Sequence, residues 1–494
     1  MWWSDLNNNL SMVLYILNQV LVLGYSLVLI FKKRDPVKTL SWILVMILLP
    51  YVGLIFYLFL GRNFRKEKMF IRKGAADLKN KQELAKDTLT LIEDKNNIPT
   101  ELKSYFKLIV QNLRNSYSLL TPTSSSKVYF SAQEAIDDML IDISNAKTHI
   151  HFQSFIVEND KIGKKLKDLL IKKSKEGVEV RFMVDGYGSN SLPKRFFKEM
   201  KTAGIEILVF SPFRWLIPPL KANYRNHRKL LIIDGEIGYL GGVNVADRYY
   251  DGGVFQEWRD THVRMTGRSV YSMQSSFILD RYFIINKNLR KRGKYYPDIE
   301  MFNTKIDMLP DEKFYSQIIS SGPDSNWAAI LHCYITALFS AKENVYINTP
   351  YFIPNETLLQ TIKIVALSNV NVSIMLPEKA DTKMTNWASR SYVTDLLNAG
   401  VKVYFFKNGF NHSKTMSIDG EYCMIGSANF DMRSLETNFE ITSVIYDSNT
   451  AQKLEDRFRK DLYRCTSMTK FNWKHRPWQQ KLYESFAKLI SPML

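Results

Sequence analysis

Two uncharged apolar runs open the chain. Residues 11–31 read SMVLYILNQVLVLGYSLVLIF, and residues 39–60 read TLSWILVMILLPYVGLIFYLFL. Each is close to the roughly 20 residues a helix needs to cross a bilayer. Only a short basic connection separates them, so the pattern predicts a transmembrane hairpin over residues 1–65. A signal peptide has a single apolar core, and the second run argues against one. Asn18 and Gln19 are predicted to face the second span, and Pro50 to kink it. From 66 to about 120 the pattern is polar, lysine-rich and helical in period. It predicts a stalk, closed by a TPTSSS linker at 121–126.

After the linker the chain says similar things twice. NAKTHIHFQSF (145–155) is answered by SAKENVYINTPYF (340–352). GVEVRFMVDG (177–186) is answered by NVNVSIMLPE (369–378), and AGIEILVF (203–210) by AGVKVYFF (399–406). Helical stretches alternate with short β-branched strands. The fold class is α/β: two tandem repeats, 127–300 and 301–494, each a mixed sheet flanked by helices. A site between paired repeats would draw on both.

HRKLLIID (227–234) and HSKTMSID (412–419) are the chemical signal. At a constant offset of 185 (412 minus 227), His227 matches His412, Lys229 matches Lys414 and Asp234 matches Asp419. Six residues separate each aspartate from GGVN and GSAN, which add Asn244 and Asn429. Each segment reads as strand, Asp-Gly turn, strand. Residues i and i+2 share a face, so His and Lys point together, and the aspartate sits at the far turn. Two histidines, two lysines and two asparagines then suit a phosphodiester, with Lys and Asn donating to its non-bridging oxygens. One neutral imidazole can attack phosphorus while the other, protonated, gives its proton to the leaving alcohol. This chemistry needs no metal or cofactor.

The net charge is +18. Beside an apolar hairpin, that surplus points to an anionic membrane rather than to nucleic acid. Basic residues are nearly balanced between the connecting loop (Lys32, Lys33, Arg34, Lys38) and the far flank (Arg62, Arg65, Lys66, Lys68). The positive-inside rule therefore does not orient the hairpin. Three scattered cysteines, Cys333, Cys423 and Cys465, make no metal or disulfide framework and place the catalytic part in the cytoplasm. The insert 211–226 is a lip over the site or a loop packed on its own domain. Leu482, Phe486, Leu489 and Ile490 share a face of a terminal helix that lies on the membrane or packs on the second repeat. His149, His151, His262, His332 and His475 carry no motif and read as structural.

The paired motifs resemble those of the phospholipase D superfamily. More narrowly, SWILVMILLPYVGLIFYLFLGR (41–62), EWRDTHV (257–263), NTPYFIP (348–354), NFDMRSLETNFE (429–440) and ESFAKLISPML (484–494) resemble bacterial cardiolipin synthases over nearly the whole chain. The resemblance implies a multi-pass cell-membrane enzyme that joins two phosphatidylglycerols into cardiolipin and glycerol through a phosphatidyl-histidine. It implies His227 as nucleophile and His412 as general acid, with Asp260 and Glu440 orienting the histidines. A hydrolase of the same chemistry is the alternative, and a non-enzymatic lipid binder the third reading.

Overall fold

The computed structural model describes residues 2–31, 36–49, 51–57, 76–93, 97–210, 224–287, 292–296 and 311–491. Helices Trp2–Phe31, Pro36–Leu48 and Val52–Phe56 belong to one compact unit. Val22, Leu29, Met46 and Tyr57 form its small core. Asn18 is buried, as its polarity demands, and its Oδ1 accepts the Tyr51 N–H at 3.2 Å. That bond sits where the second apolar run breaks, at a Tyr51 with φ of 66°. Pro50 itself, residues 58–60 and the basic flank lie outside the described residues. Among the described residues no helix is long and apolar enough to cross a membrane. The first helix nonetheless has 30 residues and leaves Val13, Val20, Leu23 and Ile30 more than half exposed.

The second unit holds two sheets of the same design. In the first, the order is Trp258–Thr266, Ile237–Gly241, Leu230–Ile233, His149–Ser154, Glu179–Asp185, Glu206–Phe210. In the second, Glu440–Tyr446, Tyr422–Gly426, Thr415–Ile418, Asn344–Asn348, Asn371–Pro377 and Lys402–Phe406 repeat that order. The last three strands of each set run parallel, and the others pair antiparallel. The sheets are mixed, as expected from the pattern.

Leu230–Ile233 is apolar at every position because both faces are buried. In Thr415–Ile418 the buried Thr415 and Ser417 are polar, and their hydroxyls bond Asn348 and Glu455. Leu231, Ile233 and Tyr239 turn into the first repeat's own core. Leu230, Ile232 and Leu240 turn the other way, against Ile318, Cys423, Ile425 and Ile441 of the second repeat. The repeats thus share a core. Both Asp-Gly turns carry two positive φ values, 57° and 75° at Asp234 and Gly235, and 52° and 63° at Asp419 and Gly420. These are the left-handed positions that Asp-Gly tolerates in a tight turn, and the Glu236 and Glu421 N–H groups close the two turns on the Ile233 and Ile418 carbonyls.

The stalk and linker need correction. Residues 121–126 are no linker: Leu120–Thr123 is a buried edge strand antiparallel to Phe314–Ser321, and Ser125–Ser131 pairs with Trp258–Thr266. The Thr121 hydroxyl donates to the Ser316 carbonyl and Thr123 bonds Ser316 Oγ, so the polar composition is satisfied inside the sheet. Pro122 is tolerated because the strand is at an edge. Helix Phe106–Ser116 likewise buries Ile109 and Leu113 in the second repeat's core.

The terminal helix Trp478–Ile490 is inverted in polarity. Trp478, Leu482, Phe486 and Leu489 are 68, 57, 58 and 79 % exposed, whereas Glu484 is buried. Glu484 accepts from Arg476 and Gln480, which satisfies its charge inside.

Candidate active site

Each histidine sits at the start of its hairpin, on a short extended stretch that docks on the other repeat. Phe410–Asn411 joins the first sheet in parallel with Trp258–Arg259, and the His412 N–H donates to the Arg259 carbonyl at 2.7 Å. Asn226 bridges Phe439 in the same sense, and the His227 N–H donates to the Phe439 carbonyl at 2.9 Å. The next residues after those carbonyls are Asp260 and Glu440.

The consequence is a crossed pairing. His227 Nδ1 lies 3.0 and 3.1 Å from the two Glu440 oxygens, and His412 Nδ1 lies 2.6 Å from Asp260 Oδ2. Each carboxylate serves the histidine of the opposite repeat. The shorter Asp260 reaches because Gly242 leaves room: a Cβ there would come within 2.0 Å of Asp260 Oδ1. At the matching position Ser427 donates its hydroxyl to Glu440 instead. A carboxylate only accepts, so Nδ1 of His227 carries the proton and Nε2 keeps its lone pair. At His412, Lys414 Nζ also lies 2.8 Å from Nδ1, and the shorter 2.6 Å contact to Asp260 assigns the proton to Nδ1 there too. Neither Nε2 has a hydrogen-bond partner among the described residues.

Lys229 and Lys414 are fully buried. Each donates back to its own motif histidine's carbonyl, Lys229 at 2.7 Å. Burial pushes the Lys229 ammonium down to about 7 and that of Lys414 to about 8, although Glu440 and Asp260 pull the other way. Burial also lowers both imidazoles, His412 to about 3. Lys414 adds to the lowering of His227, and Lys229 to that of His412, so the charges act across the repeats. Burial alone would raise Asp260 and Glu440, but the lysines and histidines outweigh it and the net shift is down.

A phosphodiester anion placed between the two ammoniums would relieve their repulsion and favour one protonated imidazole. The arrangement can therefore supply a nucleophilic nitrogen, a proton donor and two cations for the non-bridging oxygens. Among the described residues no cluster could hold a metal ion.

The two aspartates of the motif lie elsewhere. Asp234 accepts the backbone N–H groups of Lys147, Thr148 and His149 at 2.7–3.0 Å, and Asp419 those of Lys342, Glu343 and Asn344 at 2.7–2.8 Å. They pin the hairpin turns to the neighbouring strand. Asp234→Ala or Asp419→Ala is expected to cost about 1–3 kcal/mol of stability, read by urea unfolding. Full stability with an activity loss as large as that of a histidine variant would place them in the chemistry instead.

Asn244 Oδ1 accepts the Ile156 N–H, while Asn429 donates to Asp431 and leaves its own Oδ1 buried and unpartnered. Residues 211–223 of the insert lie outside the described residues. Sequence reasoning missed Asp280, which holds Arg228 at 2.5 Å and Asn226 at 2.9 Å behind His227. It also missed the buried pair Arg259–Asp461, 3.0 Å apart, behind His412. The fixed spacing of Asn226 and Asn411 before each histidine was the available signal.

A family described as "Cardiolipin synthase, PLD-like domain" matches residues 139–254 and 334–462, one copy per repeat. One described as "Phospholipase_D-nuclease N-terminal" matches residues 20–62. The chain is 39% identical to the major cardiolipin synthase ClsA of Bacillus subtilis (strain 168), over 98% of this chain and all of that one. It is 37% identical to a cardiolipin synthase of Oceanobacillus iheyensis, over 97% of this chain and 98% of that one. The crystal structure of phosphatidylserine synthase from Haemophilus influenzae Rd KW20 covers 80% of this chain and all of its own. It matches with a TM-score of 0.59 at 14% identity, a likeness of fold.

Proposed function

Because the chain belongs to the bacterial cardiolipin synthase family, with two phospholipase D-like repeats, we propose that it converts two phosphatidylglycerols to cardiolipin and glycerol. The observation that carries this reading is the crossed pair, His227 on Glu440 and His412 on Asp260. His227 Nε2 attacks phosphorus, and the P–N bond forms as the P–O bond to glycerol breaks. His412 gives its Nε2 proton to the departing oxygen. The terminal hydroxyl of a second phosphatidylglycerol then loses its proton to His412 and attacks the same phosphorus, and the P–N bond breaks. Lys229, Lys414 and Asn244 hold the non-bridging oxygens in both steps, and Asn429 does so once its bond to Asp431 is exchanged. One phosphodiester replaces another, so no energy-rich co-substrate is needed.

The chain is further proposed to sit in the cell membrane through a hairpin over residues 1–65, with the catalytic unit on the cytoplasmic side. The outward apolar positions of the first helix support this, as does the exposed apolar face of Trp478–Ile490. Lys474, Lys481 and Lys488 are exposed beside that face, which suits an anionic lipid surface. The first repeat is proposed to run from 127 to 300 and the second from 301 to 494, with residues 98–123 packed into the second.

Purified chain with phosphatidylglycerol in vesicles is expected to release one glycerol per cardiolipin formed, and to stay with the membrane after alkaline extraction. Phosphatidic acid as the only product, or a chain left in the supernatant, would contradict the respective half of the proposal.

The lysines set a pH dependence. In the free enzyme Lys229 loses its proton as pH rises through about 7 and Lys414 through about 8. Anion binding needs both charges, so kcat/KM is expected to fall across that window. Lys229→Arg should move the limb upward, since a guanidinium keeps its charge. A flat profile to pH 9 would contradict the assignment.

A further inference from the structure

Most buried arginines in this fold are saturated. Arg228 bonds Asp280 and the carbonyls of Glu440 and Ser321. Arg259 bonds Asp461, Ser413 and Thr261. Arg225 is 4 % exposed and makes no hydrogen bond through its guanidinium among the described residues, and its Nε is buried without a partner. The nearest carboxylate oxygen, Asp185 Oδ1, is 3.8 Å away. Asp185 is already committed, accepting the N–H groups of Tyr187, Gly188 and Asn226 at 2.9–3.1 Å. One face of the guanidinium lies 4.7 Å from the Tyr187 ring, which is itself half exposed. Burial, and after it the like charge of Arg433, outweigh Asp185 and hold Arg225 below its ordinary value. A buried cation with unused donors is costly until an anion completes it.

Its position says which anion. Residues 225–227 are strand-like: the Phe439 N–H donates to the Arg225 carbonyl and the His227 N–H to the Phe439 carbonyl. Arg225 and His227 therefore face the same way, about 7 Å apart along the chain. The matching residue of the second repeat, 185 positions on, is Phe410. The cation stands on the His227 side alone, so the doubled site treats its two halves differently.

We infer that Arg225 binds the acceptor lipid's own phosphodiester, one glycerol unit from the phosphorus held on His227. This rests on the proposed transfer between two phosphatidylglycerols. Arg225 would then select a second phosphatidylglycerol over water or a free alcohol as the incoming group.

The test compares two reactions of the full chain in phosphatidylglycerol micelles. One is cardiolipin formation. The other is exchange of radiolabelled glycerol into phosphatidylglycerol, which needs only a neutral alcohol as acceptor. Arg225→Gln is expected to lower the ratio of cardiolipin formed to glycerol exchanged by roughly tenfold or more, the scale of a lost charge-assisted hydrogen bond. Arg225→Lys should lower it less. An unchanged ratio overturns the inference, whether or not both rates fall. Inorganic phosphate added to the wild type gives a reading that no folding defect can blur. It should inhibit cardiolipin formation more than exchange, and equal inhibition overturns the subsite. A wild-type chain that exchanges glycerol and forms no cardiolipin overturns the parent reading, and the subsite with it.

Discussion

Alanine at His227 or at His412 is expected to lower cardiolipin synthesis by at least ~10⁴-fold, a scale typical of groups that act as a unit. Each imidazole plays a different part in the same bond exchange, so neither substitutes for the other. The two losses should not multiply in the double variant, because either one alone stops the first bond exchange. Both variants should stay folded, since the motif strands are held by the shared apolar core and not by the rings. Near wild-type synthesis in either variant, with phosphatidylglycerol as substrate, would remove the two-histidine site.

The second large effect separates the carboxylates. Glu440→Gln keeps the size of the side chain and loses the charge that steadies a positive His227. Asp260→Asn does the same to His412. Each is expected to cost about 10²–10⁴-fold in kcat with the natural leaving group. A phosphatidyl ester of nitrophenol distinguishes them, because that leaving group departs without a donated proton. Glu440→Gln should slow release of nitrophenol, since it weakens the attacking nitrogen. Asp260→Asn should leave that release much faster than glycerol release, since it affects only the acid. With Glu440 on His227 and Asp260 on His412 at 3.0 and 2.6 Å, the opposite pattern would make His412 the nucleophile and His227 the acid.

That crossing marks where the sequence stops being readable. The order of strands, the mixed sheets and the Asp-Gly turns follow from local patterns: β-branched runs, a period of two, and a turn pair that tolerates positive φ. The fixed offset of 185 between the motifs exposes the duplication. Sequence places Asp260 after the His227 hairpin and Glu440 after the His412 hairpin, and says nothing about partners across the interface. Only the docking of residues 226 and 410–411 on the opposite sheet exchanges them. The strand at 120–123 was hidden for a different reason. Its threonines look like a linker until their hydroxyls find partners in the adjacent strand. Arg225 was hidden because a lone arginine near the end of an aromatic insert has no pattern at all. Its meaning lies in the hydrogen bonds it lacks among the described residues.

The central claim is that two repeats build one site in which His227 carries the phosphatidyl group and His412 moves the proton. The most direct measurement is a rapid-mixing experiment with phosphatidyl nitrophenol on the two alanine variants. His412→Ala should release a burst of one nitrophenol per active site and retain the phosphatidyl group on His227, because attack needs no acid there. His227→Ala should give no burst. A burst from His227→Ala and none from His412→Ala would exchange the roles, and no burst from either would contradict the covalent histidine altogether.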